Sequence, residues 1–229
     1  MNDVKFKPVI LGIDVGAYSV ARTFYEFYNV KSIIIGKYTY WMTNYSKITE
    51  THTVDGMKEN KLIDYLVDLK KQYPDTKLLL FGCSEDYVDT IVRNKDVLDK
   101  YYVIPTVDLK TLNRVVEKEN FYDVCEKVGI NYPKTIILNK DNYKDTKIPF
   151  KYPIVGKVSN KAVYQRISFE GKMKVFIINS YEELITILDR CFGAGYNDDF
   201  VVQEYIKGAD ANMRVLTCFC DQNSHVLFS

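Results

Sequence analysis

Four segments in the second half of the chain hold residues whose types could do chemistry, and they follow one another in order. Lys118 lies in VEKENFYDVCEKVGINYPKT, and Lys157 sits at the end of the apolar run in YPIVGKVSN. Gly171, Lys172 and Lys174 lie in the short loop EGKMK, which leads into VFIINSYEEL. Gln203, Glu204, Ile206, Asp210 and Arg214 lie in VVQEYIKGADANMRVL, an apolar run that enters a turn with a carboxylate. Taken singly, each has an ordinary structural reading: a solvated lysine at a helix start or strand end, a hairpin turn, an edge strand with its turn. His52 and His225 are the only histidines. Their scarcity argues against a Ser/His or Cys/His nucleophile. Five cysteines without a CxxC make a zinc set hard to assemble and read as reduced, mostly buried thiols. Any chemistry must lean on Lys, Arg, Asp, Glu, Gln and backbone groups.

The elements that would position these residues can be read from periodicity. In the first 108 residues, apolar runs alternate with amphipathic stretches. Lys7–Asp14, Ser32–Gly36, Lys77–Gly82 and Tyr101–Ile104 read as strands. Ala17–Tyr28, Lys58–Gln72 and Glu85–Arg93 read as helices, for instance from Val20, Phe24 and Phe27 at i, i+4, i+7 spacing. Unbroken apolar strands separated by helices predict a parallel sheet covered on both faces. Gly12 and Gly16 flank the first strand-to-helix turn, but GIDVGA lacks the full GxGxxG pattern, so the glycines read as tight-turn residues. Ser84, Glu85 and Asp86 cluster at a strand end, where they could meet a polar substrate, and a helix N-cap is the simpler role for Ser84.

From residue 109 the texture changes. Leu112–Val116 and Asn120–Val128 predict two short helices, with Gly129 as a C-cap, and NYPKTIIL predicts a turn and a strand. Asp141–Phe150 is a polar connector. Tyr152–Val158, Lys174–Ile178, Phe200–Tyr205 and Met213–Phe219 predict compact strands around one helix, Tyr181–Arg190. The expected organisation is therefore an α/β domain over 1–108, linker helices and the start of a second core over 109–150, and a second, α+β domain over 151–229.

Composition bounds the function. The chain has 229 residues, with 31 Lys+Arg against 30 Asp+Glu. This balance excludes a polybasic protein and makes general nucleic-acid affinity a poor first reading. No run reaches the ~18 apolar residues of a membrane span. The apolar stretch near the N-terminus is too short for a signal sequence, so the chain reads as cytoplasmic.

The order of the four segments resembles that of the ATP-grasp ligases, and the whole chain is most similar to the bacterial D-aspartate ligases among them. FYDVCEKVGINYPKT, FEGKMKVFIINSYEEL and VVQEYIKGADANMRVL carry the resemblance, which extends upstream to PVILGIDVGAYSVARTFYE and LLLFGCSEDY. It implies a Rossmann-like pre-ATP-grasp domain followed by an incomplete ATP-grasp domain. It also implies roles. Lys118 and Lys157 match the two lysines that hold the nucleotide phosphates, for which a compact ammonium is suited. Gly171, Lys172 and Lys174 match a phosphate-covering loop that would exclude water from a reactive intermediate. Gln203 matches an adenine reader through its side chain, Glu204 and Ile206 through backbone groups, and Asp210 a ribose-binding carboxylate. Arg214 matches a phosphate or substrate ligand, or else a structural ion pair. Part of the amino-acid or acceptor pocket would lie near Gly12–Tyr18 and Gly82–Asp86.

Some positions depart from the wider family. Val158 follows the second lysine where Pro is common, the loop has one glycine, and Gln203 and Asp210 stand where Glu is common. The family's Mg²⁺ ligands, an acidic strand and a Glu-x-Asn pair, have no counterpart here. The resemblance thus implies that these 229 residues are an N-terminal part of a longer ligase, inefficient at phosphoryl transfer alone. Implied partners are ATP with Mg²⁺, an amino acid such as D-aspartate, and an amine such as a peptidoglycan-precursor lysine. Two other readings stay open: a non-catalytic nucleotide-binding or interaction module of the same fold, and a ligase for another amino acid or a peptide.

Overall fold

The computed structural model describes residues 5–54, 59–116 and 118–229. They form two compact units, Met1–Gly129 and Ile130–Ser229.

The first unit runs β1 (Phe6–Leu11), α1 (Val15–Tyr28), β2 (Ser32–Gly36), α2 (Trp41–Asn44), β3 (Thr49–Thr53), α3 (Glu59–Lys71) and β4 (Lys77–Gly82). It continues with α4 (Glu85–Arg93), α5 (Lys95–Leu98), β5 (Tyr102–Val103), α6 (Leu109–Val116) and α7 (Lys118–Val128). Lys58, the expected start of the helix over Lys58–Gln72, lies outside the described residues. The strands pair in parallel in the order β3-β2-β1-β4-β5. Alternation along the strands explains their unbroken apolar runs. Val9, Leu11, Ile33, Ile35, Leu78 and Leu80 face a core with Leu62, Leu66 and Leu69 of α3. Ile10 and Ile34 face the opposite way, against Ala17 and Ala21 of α1. Both faces are dry, so both parities must be apolar.

β3 escaped the sequence reading. Its residues, TETHT, are polar or half-exposed, because an edge strand covered on one side needs no apolar run. Asp14 caps α1, its carboxylate accepting from the Ala17 amide at 3.1 Å, and Ser84 caps α4 as expected from sequence.

The second unit contains β6 (Thr135–Leu138), β7 (Ile154–Val158), α8 (Lys161–Gln165), β8 (Phe176–Ile178), α9 (Tyr181–Gly193) and β9 (Phe200–Glu204). A 3-10 turn, Asp210–Asn212, and a hairpin of β10 (Phe219–Cys220) and β11 (Val226–Phe228) follow. β6-β9-β7-β8 form an antiparallel sheet. One of its faces packs on α9 through Ile154, Val158, Phe176, Phe200 and Val202 against Leu184, Leu188, Cys191 and Phe192. Tyr196 is fully buried. Its hydroxyl donates to the Asp199 carbonyl at 2.9 Å and accepts from the Asn160 amide at 3.1 Å, which offsets the cost of burying a phenol.

The expected strand over Met213–Phe219 is not formed. Only Phe219–Cys220 pairs, and Met213, Val215 and Leu216 are exposed. An apolar stretch becomes a strand only where a neighbour supplies backbone partners, and none of the four sheet strands does so here. Cys218 and Cys220 are correspondingly exposed, whereas Cys125 and Cys191 are buried.

Candidate functional site

The antiparallel register decides which side chains share the sheet face opposite α9. Lys157 of β7 lies across from Val201 of β9, which lies across from Ile137 of β6. One row along, Val155 lies across from Gln203, which lies across from Thr135. Directly opposed residues point the same way, so Lys157 and Gln203 stand on one face with Val155, Ile137 and Ile177 around them. Gln203 is buried. Its side-chain amide donates to the Thr135 hydroxyl at 2.8 Å, and Thr135 in turn donates to the Pro133 carbonyl at 2.9 Å. Lys157 is half-buried and makes no hydrogen bond or ion pair with another described residue. A partly desolvated ammonium without a counter-charge is costly. It is a ready seat for an anion.

The loop before β8 holds Gly171, Lys172 and Lys174. Gly171 has φ +77°, a left-handed conformation that favours glycine. The Lys172 ammonium donates to the Ile167 carbonyl at 2.6 Å and lies 4.8 Å from the centre of the Tyr164 ring. Lys174 is exposed and unpaired among the described residues.

The remaining candidates are spread along the chain after β9 or lie in the other unit. The Glu204 amide already donates to the Lys134 carbonyl at 2.9 Å, and Ile206 is exposed beyond the strand end. Arg214 turns onto its own backbone, donating to the carbonyls of Ala211 and Met213. Lys118 opens α7 in the first unit and Asp210 opens the 3-10 turn; both side chains lie outside the described residues. Of the expected set, Lys157 and Gln203 are therefore brought to one sheet face, and Gly171, Lys172 and Lys174 to one loop.

A second feature belongs to the first unit. β2 lies on one side of β1 and β4 on the other, so the winding reverses between β1 and β4. Ligands of open parallel sheets sit beyond the carboxyl ends of the strands at such a reversal. A crevice of about 220 Å³ opens there, lined by Gly12, Asp14, Lys37, Cys83, Ser84 and Asp86 among others. Gly12, at φ +137°, lets the two loops close up, since a Cβ there would lie 3.0 Å from the Cβ of Cys83. Burial, with a smaller contribution from the Asp14 charge, pushes the Cys83 thiol up to about 11. It stays protonated at neutral pH and does not supply a nucleophile. Cys83 falls within the Gly82–Asp86 segment expected near a pocket, whereas Lys37 was not singled out from sequence. Lys37 directly follows Gly36 at the end of β2, the one local signal that marks it.

Among the described residues, no group of three or more His, Cys, Asp or Glu could hold a metal ion. Nor is any described helix long and apolar enough to cross a membrane.

Comparison with known proteins bears on the family and the fold. No family model matches the chain. A D-aspartate ligase from Enterococcus faecium is 34% identical over 99% of this chain, and the chain spans 56% of that protein's length. An L-amino acid ligase from Bacillus licheniformis superposes with a TM-score of 0.58 at 13% identity, over 90% of this chain and 46% of that one. N5-carboxyaminoimidazole synthase from Aspergillus clavatus, solved with ADP and 5-aminoimidazole ribonucleotide, superposes with a TM-score of 0.59 at 12% identity, over 88% of this chain and 47% of that one. The chain is thus a homologue of D-aspartate ligase with the mixed α/β fold of the ATP-grasp ligases.

Proposed function

We propose that the chain carries the nucleotide face and an amino-acid crevice of an ATP-dependent carboxylate–amine ligase whose amino acid is D-aspartate. The observation that carries this reading is the half-buried Lys157, without a hydrogen-bond or ion-pair partner among the described residues, on the same largely apolar sheet face as Gln203. The apolar shelf suits a base ring, the amide of Gln203 suits hydrogen bonding to it, and Lys157 suits phosphate oxygens. Within the same unit, Lys174 and Asp210 would add to the hold on the triphosphate and ribose. The crevice of the first unit, with Lys37 and the carboxylates of Asp14 and Asp86, offers both charge signs to a zwitterionic amino acid.

In the reaction, a substrate carboxylate oxygen attacks the γ-phosphorus and ADP leaves, giving an acyl phosphate. An amine, for which a peptidoglycan-precursor lysine is the proposed source, then attacks the carbonyl and phosphate leaves. The protein's part is positioning and charge stabilisation, without a protein nucleophile. The scarcity of histidine and the protonated state of Cys83 support that scheme.

Titration calorimetry with ATP on this chain tests the site. Lys157→Ala removes a charge-assisted hydrogen bond, so affinity should fall roughly ten- to hundred-fold while the circular dichroism spectrum is unchanged. Undiminished affinity would remove Lys157 from the phosphate site. The substrate is tested in the full-length protein carrying this chain, by ATP turnover against a panel of amino acids. Stimulation by another amino acid and none by D-aspartate would overturn the substrate.

A further inference from the structure

We infer that Lys172 is not a phosphate ligand but a positioning residue that clamps the loop over residues 167–174, leaving Lys174 as the loop's available cation. This inference rests on the reading that the loop serves the nucleotide. Four contacts converge on the segment. The Lys172 ammonium donates to the Ile167 carbonyl at 2.6 Å, closing the loop on itself. The same ammonium lies over the Tyr164 ring, 4.8 Å from its centre. The Tyr164 hydroxyl donates to the Met173 carbonyl at 2.7 Å, on the far side of Lys172. Arg190 of α9 donates to the Glu170 carbonyl at 3.3 Å.

These contacts tie three backbone carbonyls of one loop to a lysine, a tyrosine and an arginine. Tyr164 is itself fixed in the core, edge-on to Tyr196 and Phe169. Lys172 is half-buried, whereas Lys174 is exposed. An ammonium has three donors and a flexible stem, so it can bridge a carbonyl and a ring face at once. To reach a phosphate, Lys172 would have to give up both contacts and strand the Ile167 carbonyl. Lys174 has nothing to give up among the described residues. With a single glycine, at Gly171, the loop relies on side-chain ties for its shape rather than on a glycine-rich backbone.

The test is amide hydrogen exchange over residues 167–175 in this chain without nucleotide, paired with ATP titration. Lys172→Met keeps the stem and removes the cation. Exchange in the loop should quicken roughly ten- to hundred-fold, the loss expected for one charge-assisted hydrogen bond, and Lys172→Arg should restore protection. Lys174→Gln should leave exchange unchanged and weaken ATP. Where Lys172→Met does not give a native circular dichroism spectrum, Lys172→Gln takes its place. Unchanged loop exchange in the cation-free variant overturns the inference, whether or not ATP affinity falls. The exchange arm needs no nucleotide, so failure of the chain to bind ATP would refute the proposed function and leave the clamp still decided.

Discussion

Replacing Gly156 with alanine should strain the core directly beneath Lys157. Gly156 lies in the middle of β7 and faces α9. A Cβ built on it would fall 2.7 Å from Phe200 Cε1, 2.8 Å from Ile178 Cδ1 and 2.9 Å from Phe200 Cζ. Carbon atoms rest at about 3.5–4.0 Å, so the neighbours must retreat by roughly 0.7 Å or more. Phe200 and Ile178 are both fully buried, which leaves little room for that retreat. Overpacking of this kind costs about 1–3 kcal/mol, and the better strand propensity of alanine returns about 0.5–1 kcal/mol. Three contacts under 3.0 Å against fully buried neighbours place the cost in the upper part of that range, about 2–3 kcal/mol, so the net loss is about 1–2.5 kcal/mol, which for a protein of this size lowers Tm by about 2–10 °C in calorimetry. Phe200→Leu removes the ring atoms that the new methyl would meet. The double variant should therefore be more stable than the sum of the two single losses predicts, by about 0.5 kcal/mol or more. An unchanged Tm in the Gly156 variant, or strict additivity in the double variant, would show that the strand can shift freely and that the site's floor is not set by this contact.

Two further outcomes follow from particular groups. The Asp198 carboxyl is held below its ordinary range, first by the Asp199 amide and then by the Asn160 side chain, with burial opposing. A depressed carboxyl contributes stability that is fully present above its unfolded pKa and lost as pH falls through the folded value. Urea melts should therefore show the difference between the wild type and Asp198→Asn shrinking as the pH is lowered from 5 to about 3; a constant difference over that range would refute the assignment. The Tyr152 hydroxyl is buried without a partner among the described residues, so Tyr152→Phe should leave stability unchanged or raise it by about 1 kcal/mol; a clear drop in Tm would mean that the hydroxyl is satisfied.

How far the site was legible in the sequence differs from residue to residue. Lys157 could be placed because it ends an apolar run whose alternate residues, Ile154, Gly156 and Val158, are buried, leaving its own parity for the other face. Gln203 could be placed on its strand, but its partner could not, because Thr135 is 68 residues away and meets it only through the register of β6 with β9. Lys172 and Lys174 look alike in EGKMK, and only the carbonyl and ring that one of them meets set them apart. The strand expected over Met213–Phe219 failed because apolar content marks a willingness to pair, while pairing needs a neighbouring strand.

The sequence by itself determined the succession of buried parallel strands and covering helices in the first unit, and the cap at Ser84. A strand dry on both faces must be apolar at every position, and a cap must offer an oxygen to an amide three residues on, so both signals are local. Motif order also sufficed to point to a family. Tertiary structure alone decided the strand order that reverses between β1 and β4 and opens the crevice around Lys37 and Cys83. It also decided the pairing of Gln203 with Thr135 and the engagement of Lys172. Each of these depends on which distant backbone lies alongside, and that is settled by the packing of whole elements rather than by any window of neighbouring residues.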